Sequence, residues 1–159
     1  MPGAGKSTVG VVLAKILGYH FLDSDLEIQE HTGKPLHELI TEHGDEGFLE
    51  IENRVNAGLT VDKTVIATGG SAVFGEDAMK HLQEISTVVY LRLPYKSLKR
   101  RLGDLKKRGV VLKPGQTLKD LVDYRTPYYE KYADLIVDEE NLDIRGVVER
   151  IVSALESVE

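Results

Sequence analysis

The first residues of the chain carry a pattern that binds phosphate groups. Residues 1–8 read Met-Pro-Gly-Ala-Gly-Lys-Ser-Thr, which matches the P-loop pattern G-x-x-x-x-G-K-[ST] in everything but its first glycine. Gly5 allows backbone N–H groups to turn towards the β- and γ-phosphates of a nucleotide, Lys6 adds a point charge, and Ser7 offers a hydroxyl to Mg²⁺. A flexible glycine-rich terminus is the alternative. The helical pattern that follows favours a nucleotide site, because a helix N-terminus attracts anions.

Two carboxylates follow at the end of a short predicted strand. Asp23 and Asp25 close the sequence Phe-Leu-Asp-Ser-Asp of residues 21–25. One carboxylate near Mg²⁺ and one near a substrate hydroxyl would suit phosphoryl transfer. A helix N-cap formed by Ser24 or Asp25 is the alternative, since a helix is predicted to begin near Leu26. Beside a P-loop, the pair favours catalysis.

Three further segments could contribute to the same chemistry. Gly69 and Gly70 follow a strand of the buried type. They could allow a ligand to approach the backbone closely, or they could simply form a tight turn. Arg125 could hold a substrate carboxylate with two hydrogen bonds, or form a surface salt bridge. A basic segment could form a lid over ATP phosphates, or a solvated helix face. Its cations are Arg100, Arg101, Lys106, Lys107 and Arg108.

The composition excludes several other classes of protein. The chain has 159 residues, of which 42% are hydrophobic and 29% charged, as in an ordinary globular domain. Its net charge of −6 disfavours nucleic acid and acidic membranes as partners, although a local positive site can still bind a nucleotide. It has no cysteine, and no apolar run approaches the roughly 18 residues of a membrane span. We therefore expect a cytoplasmic enzyme.

Alternating helices and strands must position these residues. The hydrophobic pattern predicts helices over residues 5–17, 76–84, 95–107, 118–132 and 144–155, and further helices within 26–59 with breaks near Gly33 and Gly44. It predicts strands over residues 19–22, 64–68, 87–93 and 135–137. This alternation indicates one α/β domain over residues 1–159, with a parallel sheet covered by helices on both faces. Ligands of such sheets bind at the carboxyl ends of the strands.

One strand is missing from this prediction. A P-loop normally follows a strand, and both that strand and the first glycine of the pattern would precede Met1. A misassigned start codon is the first expectation, ahead of a truncated chain or a sheet that lacks a central strand. Loss of a buried strand would remove several apolar side chains, each of which contributes about 1.5–3 kcal/mol when buried.

Taken together, these segments resemble the shikimate kinase family of P-loop kinases, which has a three-layer α/β fold. The resemblance extends over nearly the whole chain. It is carried by residues 3–8, 21–25, 32–34, 44–48, Glu52, 68–70 and 125–129. It implies an enzyme that phosphorylates a hydroxyl of shikimate with ATP to give shikimate 3-phosphate, in aromatic amino-acid biosynthesis.

The resemblance also implies a role for individual residues on the nucleotide side. The residues that would bind ATP are Gly3, Ala4, Gly5, Lys6, Ser7 and Thr8, with Arg101 packed on the adenine. Ser7 and Asp23 would hold Mg²⁺. Lys6 and Arg108, the latter in a lid over about residues 103–117, would stabilise charge on the transferred phosphoryl group.

On the acceptor side, the resemblance implies that Asp25 binds the substrate hydroxyls and is the candidate base. Gly69 and Gly70 would form the substrate loop, and Arg125 would bind the substrate carboxylate. Lys6, Asp25 and Arg108 are thus the catalytic candidates. ATP and a small hydroxylated, carboxylated metabolite are the expected ligands, Mg²⁺ is the expected cofactor, and the chain is expected to act as a monomer.

The chain departs from the family pattern at three places on the acceptor side. Leu49 stands where the family has an arginine that clamps the substrate carboxylate, so Arg54 is a candidate replacement. Ser71 replaces the last glycine of the Gly-Gly-Gly loop, and Gly109 replaces the proline of the lid pattern Arg-Pro-Leu-Leu. Two alternatives therefore stay open: a kinase for another small polar alcohol, such as a sugar acid or hydroxy amino acid, and a non-catalytic ATP-binding protein.

Overall fold

Two pairs of parallel strands form the framework of the molecule. The computed structural model describes residues 1, 3–103 and 112–157. β1 (His20–Asp23) pairs with β2 (Thr64–Ala67), and β3 (Val89–Arg92) pairs with β4 (Leu135–Asp138), in both cases in parallel. Parallel neighbours require crossover connections, which explains why helices separate these strands in the chain.

Helices flank both strand pairs. They are α1 (Lys6–Leu17), α2 (Ser24–Thr32), α3 (Leu36–Ala57), α4 (Glu76–Ile85), α5 (Tyr95–Leu102), α6 (Leu118–Tyr132) and α7 (Ile144–Glu156), with a 3-10 turn at Ala72–Phe74. The predicted α/β class, with parallel strands flanked by helices, is confirmed. In the ranges that the structure describes, no helix combines the length and the apolar character needed to cross a membrane.

Local sequence signals explain where several helices begin and end. α6 has the predicted bounds because the Thr117 side chain accepts a hydrogen bond from the backbone of Asp120 while the Asp120 side chain accepts one from the backbone of Thr117. Gly44 interrupts α3 with φ 69° and ψ −179°, as the sequence predicts. α5 ends at Leu102, before the predicted residue 107, because Gly103 takes φ 50°.

β3 is shorter than predicted. It covers Val89–Arg92 instead of residues 87–93, because its ladder with β4 runs only from the pair Val89 and Leu135 to the pair Arg92 and Asp138. The register nevertheless brings the carboxyl ends of each strand pair to the same level. Asp23 lies opposite Ala67, and Ala67 is two residues before the glycine loop formed by Gly69 and Gly70.

One apolar core joins the two strand pairs. Val9 and Leu13 of α1, Leu91 of β3 and Val148 of α7 belong to a single buried cluster, and Val65 of β2 packs against it. β2 and β3 nevertheless lie in separate sheets. A cleft of about 710 Å³ is lined by both strands, together with α1 and α7.

Candidate functional site

The P-loop backbone leads directly into α1. Gly3 and Gly5 have φ 78° and 71°, in the left-handed region that favours glycine. Gly5 is the N-cap of α1 and has no side chain to occupy the first N–H groups of the helix. These N–H groups are therefore available to an anion, which the helix dipole also attracts.

Lys6 lies between the nucleotide side and the acceptor side of the site. Its Nζ donates a hydrogen bond of 2.7 Å to the Met1 carbonyl oxygen. Burial lowers the pKa of Lys6, and the nearby carboxylates of Asp25 and Glu139 partly oppose this effect. The ammonium group is thus held at the loop, close enough to both carboxylates to sense their charge.

Asp23 caps α2 and contacts the P-loop. Its Oδ1 accepts a hydrogen bond of 2.9 Å from the backbone N–H of Asp25, and the Ser7 hydroxyl donates to its Oδ2 at 3.4 Å. The alternative interpretation of this segment, a helix cap at Ser24 or Asp25, does not hold at those residues, because Asp23 itself takes the extended cap conformation at the end of β1. Capping occupies only one of its carboxylate oxygens, so Oδ2 stays on the P-loop side.

Asp25 is half-buried beside the glycine loop. Burial and the charge of Asp23 raise the pKa of its carboxyl, and the ammonium of Lys6 lowers it. A Cβ atom placed on Gly69 would lie 2.9 Å from Asp25 Oδ1 and 3.0 Å from Glu52 Oε1. Only glycine leaves both carboxylates room at this position.

Glu52 was not among the predicted site residues, although it closes the family pattern in α3. It is 1% exposed, and its Oε2 accepts a hydrogen bond of 2.6 Å from the Ser71 hydroxyl. Burial raises the pKa of Glu52 to about 7. Sequence reasoning missed it because a glutamate in a helix is ordinarily exposed.

Arg125 extends from α6 towards the same region. Its guanidinium lies 5.7 Å from the centre of the Phe74 ring, and its charge lowers the pKa of Glu52. Its Nε is buried without a hydrogen-bond partner among the described residues. Tyr129, one helical turn further along α6, donates a hydrogen bond of 2.6 Å to the Gly70 carbonyl oxygen. α6 therefore both supplies a cation and fixes the glycine loop.

A second cavity has a volume of about 760 Å³ and is bordered by the P-loop. Its lining includes Gly3, Gly5 and Thr8 of the loop. Arg101 lines it too and lies 3.8 Å from the Oε1 of Glu139, which is 2% exposed. Glu139 was missed as well, although it directly follows β4, where strand-end carboxylates are expected.

The predicted site residues therefore come together in two groups around Lys6. Gly3, Gly5, Thr8 and Arg101 border the 760 Å³ cavity, as does Ala4. Asp25, Gly69, Gly70 and Arg125 are linked by the contacts and charge effects given above. Arg108 and most of the predicted lid lie outside the described residues. Arg54 is exposed on α3.

The oxygen atoms around the P-loop suit a magnesium ion that is shared with a nucleotide. The Ser7 hydroxyl and Asp23 Oδ2 are neighbours, and both are hard oxygen donors. Among the described residues, no three His, Cys, Asp or Glu side chains gather into a metal site. Mg²⁺ fits this arrangement because it uses one or two protein ligands together with phosphate oxygens and water.

Comparison with known proteins identifies the family. The family model described as shikimate kinase matches residues 2–156. Shikimate kinase of Histophilus somni is 34% identical over 98% of this chain and 91% of its own length, and that of Methylococcus capsulatus is 38% identical over 97% and 88%.

Solved structures agree with this assignment. Shikimate kinase from Acinetobacter baumannii in complex with shikimate has a TM-score of 0.87 and 34% identity, and covers 99% of this chain and 90% of its own. The Aquifex aeolicus shikimate kinase has a TM-score of 0.82 and 31% identity, over 96% and 90%. The chain belongs to the shikimate kinase family.

Proposed function

We propose that this chain transfers the γ-phosphoryl group of ATP to a hydroxyl of shikimate, giving shikimate 3-phosphate for aromatic amino-acid biosynthesis. The position of Asp25 carries the proposal. Its carboxylate is close enough to Lys6 for the ammonium to lower its pKa, and it borders Gly69 of the substrate loop. A hydroxyl held by Asp25 would therefore face the end of the P-loop where a γ-phosphate binds. The likeness to a relative solved with shikimate supports this acceptor.

Asp25 orients the hydroxyl and accepts its proton. The hydroxyl oxygen forms a bond to the γ-phosphorus, the bond between that phosphorus and the leaving oxygen of ADP breaks, and the proton moves to the Asp25 carboxylate. The pKa of Asp25 is raised by burial and by Asp23. A raised pKa makes this carboxylate a better proton acceptor.

The nucleotide side supplies most of the positive charge. We propose that residues 3–8 bind the phosphates through their backbone and through Lys6, that Arg101 packs on the adenine in the 760 Å³ cavity, and that Arg108 stabilises the transferred group from the lid. Ser7 and Asp23 would hold Mg²⁺. When bound, this ion would neutralise charge on the phosphate oxygens.

On the acceptor side, Arg125 is the cation that acts on Glu52 among the described residues. We propose that Arg125 binds the carboxylate of the acceptor, and that Gly69 and Gly70 allow the acceptor to approach the backbone. Leu49 removes the second cation of the family pattern. Loss of one charge-assisted hydrogen bond costs about 1.5–3 kcal/mol, or roughly 10- to 150-fold in affinity, so we expect a high KM for shikimate.

Leu49 also favours a second candidate, a kinase for a different small polar alcohol. A coupled assay of ADP release over shikimate, sugar acids and hydroxy amino acids separates the two. We expect shikimate to give the highest kcat/KM. Turnover with another alcohol and none with shikimate would eliminate shikimate as the acceptor. ATP binding without turnover on any acceptor would instead indicate the non-catalytic alternative.

A further inference from the structure

The buried carboxyl of Glu52 is held in a defined orientation. The Ser71 hydroxyl donates to its Oε2 at 2.6 Å. Its Oε1 has no hydrogen-bond partner in the described ranges, although the residue is 1% exposed. A buried polar atom without a partner is rare in proteins and calls for a ligand or water. Ser71 therefore orients the carboxyl and leaves Oε1 as the oxygen that is free to act.

Oε1 borders the acceptor side of the site. The Cβ position of Gly69 lies 3.0 Å from this atom and 2.9 Å from Asp25 Oδ1, so the two carboxylates face the same small space. The charged groups that act on Glu52 from neighbouring elements are Asp25 of α2 and Arg125 of α6, and Tyr129 of α6 lies close enough to sense its charge. An acceptor bound by Asp25 and Arg125 would thus meet Glu52 as well.

We propose that Glu52 determines acceptor specificity: in its protonated form, oriented by Ser71, it donates a hydrogen bond from Oε1 to the anionic group of the acceptor. It would thereby replace the cation that Leu49 removes. This inference rests on the proposed function. Ser71, another departure from the family pattern, has a role in it, because its hydroxyl occupies Oε2 and leaves the proton to Oε1.

The sign of the pH effect follows from this role. The neutral carboxyl donates a hydrogen bond to an anion, whereas the ionised carboxylate places a second negative charge beside Asp25 and repels it. Burial raises the pKa of Glu52 to about 7. Affinity for an anionic acceptor should therefore be highest below this pH and fall above it.

The test is the pH dependence of the KM for shikimate, measured beside that for ATP. For a group with a pKa of about 7, we expect the KM for shikimate to rise about tenfold between pH 6 and pH 8, while the KM for ATP changes less than about twofold. Glu52→Gln cannot titrate but still carries N–H donors, so its KM for shikimate should stay flat over this range. A wild-type profile that is flat, or a Glu52→Gln profile that rises as steeply as the wild type, would overturn the proposal.

Ser71→Ala separates this role from a structural one. The Ser71 hydroxyl stabilises the ionised form of Glu52, so its removal should move the rise in KM to higher pH. An unchanged midpoint would contradict the proposed pairing. If shikimate is not turned over at any pH, the proposed function fails. Calorimetric binding of shikimate at pH 6 and pH 8 then decides the role of Glu52 by itself.

Discussion

The proposed nucleotide end and the proposed acceptor end of this molecule would bind their ligands by different means. The nucleotide end relies on backbone N–H groups at the start of α1 and on the conformations of Gly3 and Gly5. The acceptor end relies on side chains from separate elements, such as Asp25, Glu52 and Arg125. A phosphate site formed by backbone N–H groups depends on the side chains of only a few residues. A site built from side chains changes its preference whenever one of them is replaced, and the family pattern assigns Leu49 and Ser71 to this end.

The two ends also differ in their balance of charge. On the nucleotide side, Lys6 and Arg101 lie near the buried carboxylate of Glu139. On the acceptor side, Asp25 and Glu52 face Arg125. A phosphate group is therefore attracted strongly, whereas a carboxylate acceptor meets the charge of Asp25 and, above about pH 7, also the charge of ionised Glu52. Variants of the acceptor end should alter kcat or the KM for the acceptor and leave ATP binding unchanged.

The largest effect is expected for Asp25→Asn. The amide keeps the shape of the side chain but cannot accept the proton, so kcat should fall by about 10²- to 10⁴-fold. The Kd for ATP, measured by calorimetry, should change less than about twofold, because backbone N–H groups bind the phosphates. Asp62→Asn, on an exposed aspartate, is the matched control. A variant that keeps wild-type turnover would remove Asp25 from the reaction.

Arg125→Ala should have the next largest effect. Loss of the guanidinium should raise the KM for shikimate about 10- to 150-fold, which corresponds to a charge-assisted hydrogen bond of about 1.5–3 kcal/mol. Arg54→Ala is the matched control, since Arg54 is exposed on α3. A rise in KM for Arg54→Ala with none for Arg125→Ala would reverse the assignment of the carboxylate ligand.

Leu49→Arg should strengthen the acceptor end. A second cation should lower the KM for shikimate roughly tenfold and leave that for ATP unchanged. Leu49→Met, which keeps an apolar side chain, should behave as the wild type. If Leu49→Arg leaves the KM for shikimate unchanged, the loss of the second cation does not explain weaker anion binding at the acceptor end.

The last expected effect concerns the stability of the fold instead of a rate or an affinity. The pKa of Glu52 is raised from 4.5 to about 7 on folding. The folded protein therefore binds the proton more tightly than the unfolded chain, and the free energy of unfolding decreases as the pH rises from 4.5 through 7. The decrease is on the order of 3 kcal/mol. Urea unfolding of the wild type and Glu52→Gln at pH 5 and pH 8 measures it. Equal pH dependence in the two proteins would show that Glu52 does not titrate in this way.

Much of the fold could be predicted because its signals are local. The capping pair Thr117 and Asp120 marks the start of α6, and Gly44 marks the interruption of α3. The pattern of glycines and Lys6 likewise indicates a phosphate site without any knowledge of tertiary contacts. Strand ends were predicted less well, because pairing between β3 and β4 decides where each strand stops.

The parts that sequence reasoning missed depend on tertiary structure. Glu52 and Glu139 are unremarkable in the sequence, and only packing makes them 1% and 2% exposed. Asp23 caps α2 because β1 extends to it. The local sequence alone did not decide which of residues 23–25 would form the cap. The contact between Ser71 and Glu52 joins residues 19 positions apart. Contacts between residues so far apart in the sequence can be identified only in the folded chain.

The most direct test of the central claim is ³¹P NMR of the protein with ATP, Mg²⁺ and shikimate, with Asp25→Asn under identical conditions. We expect a phosphate monoester of shikimate and ADP to appear in equal amounts with the wild type, and both to be strongly reduced with Asp25→Asn. Formation of ADP and inorganic phosphate without a shikimate monoester, or no reaction by a protein that binds ATP, would contradict it.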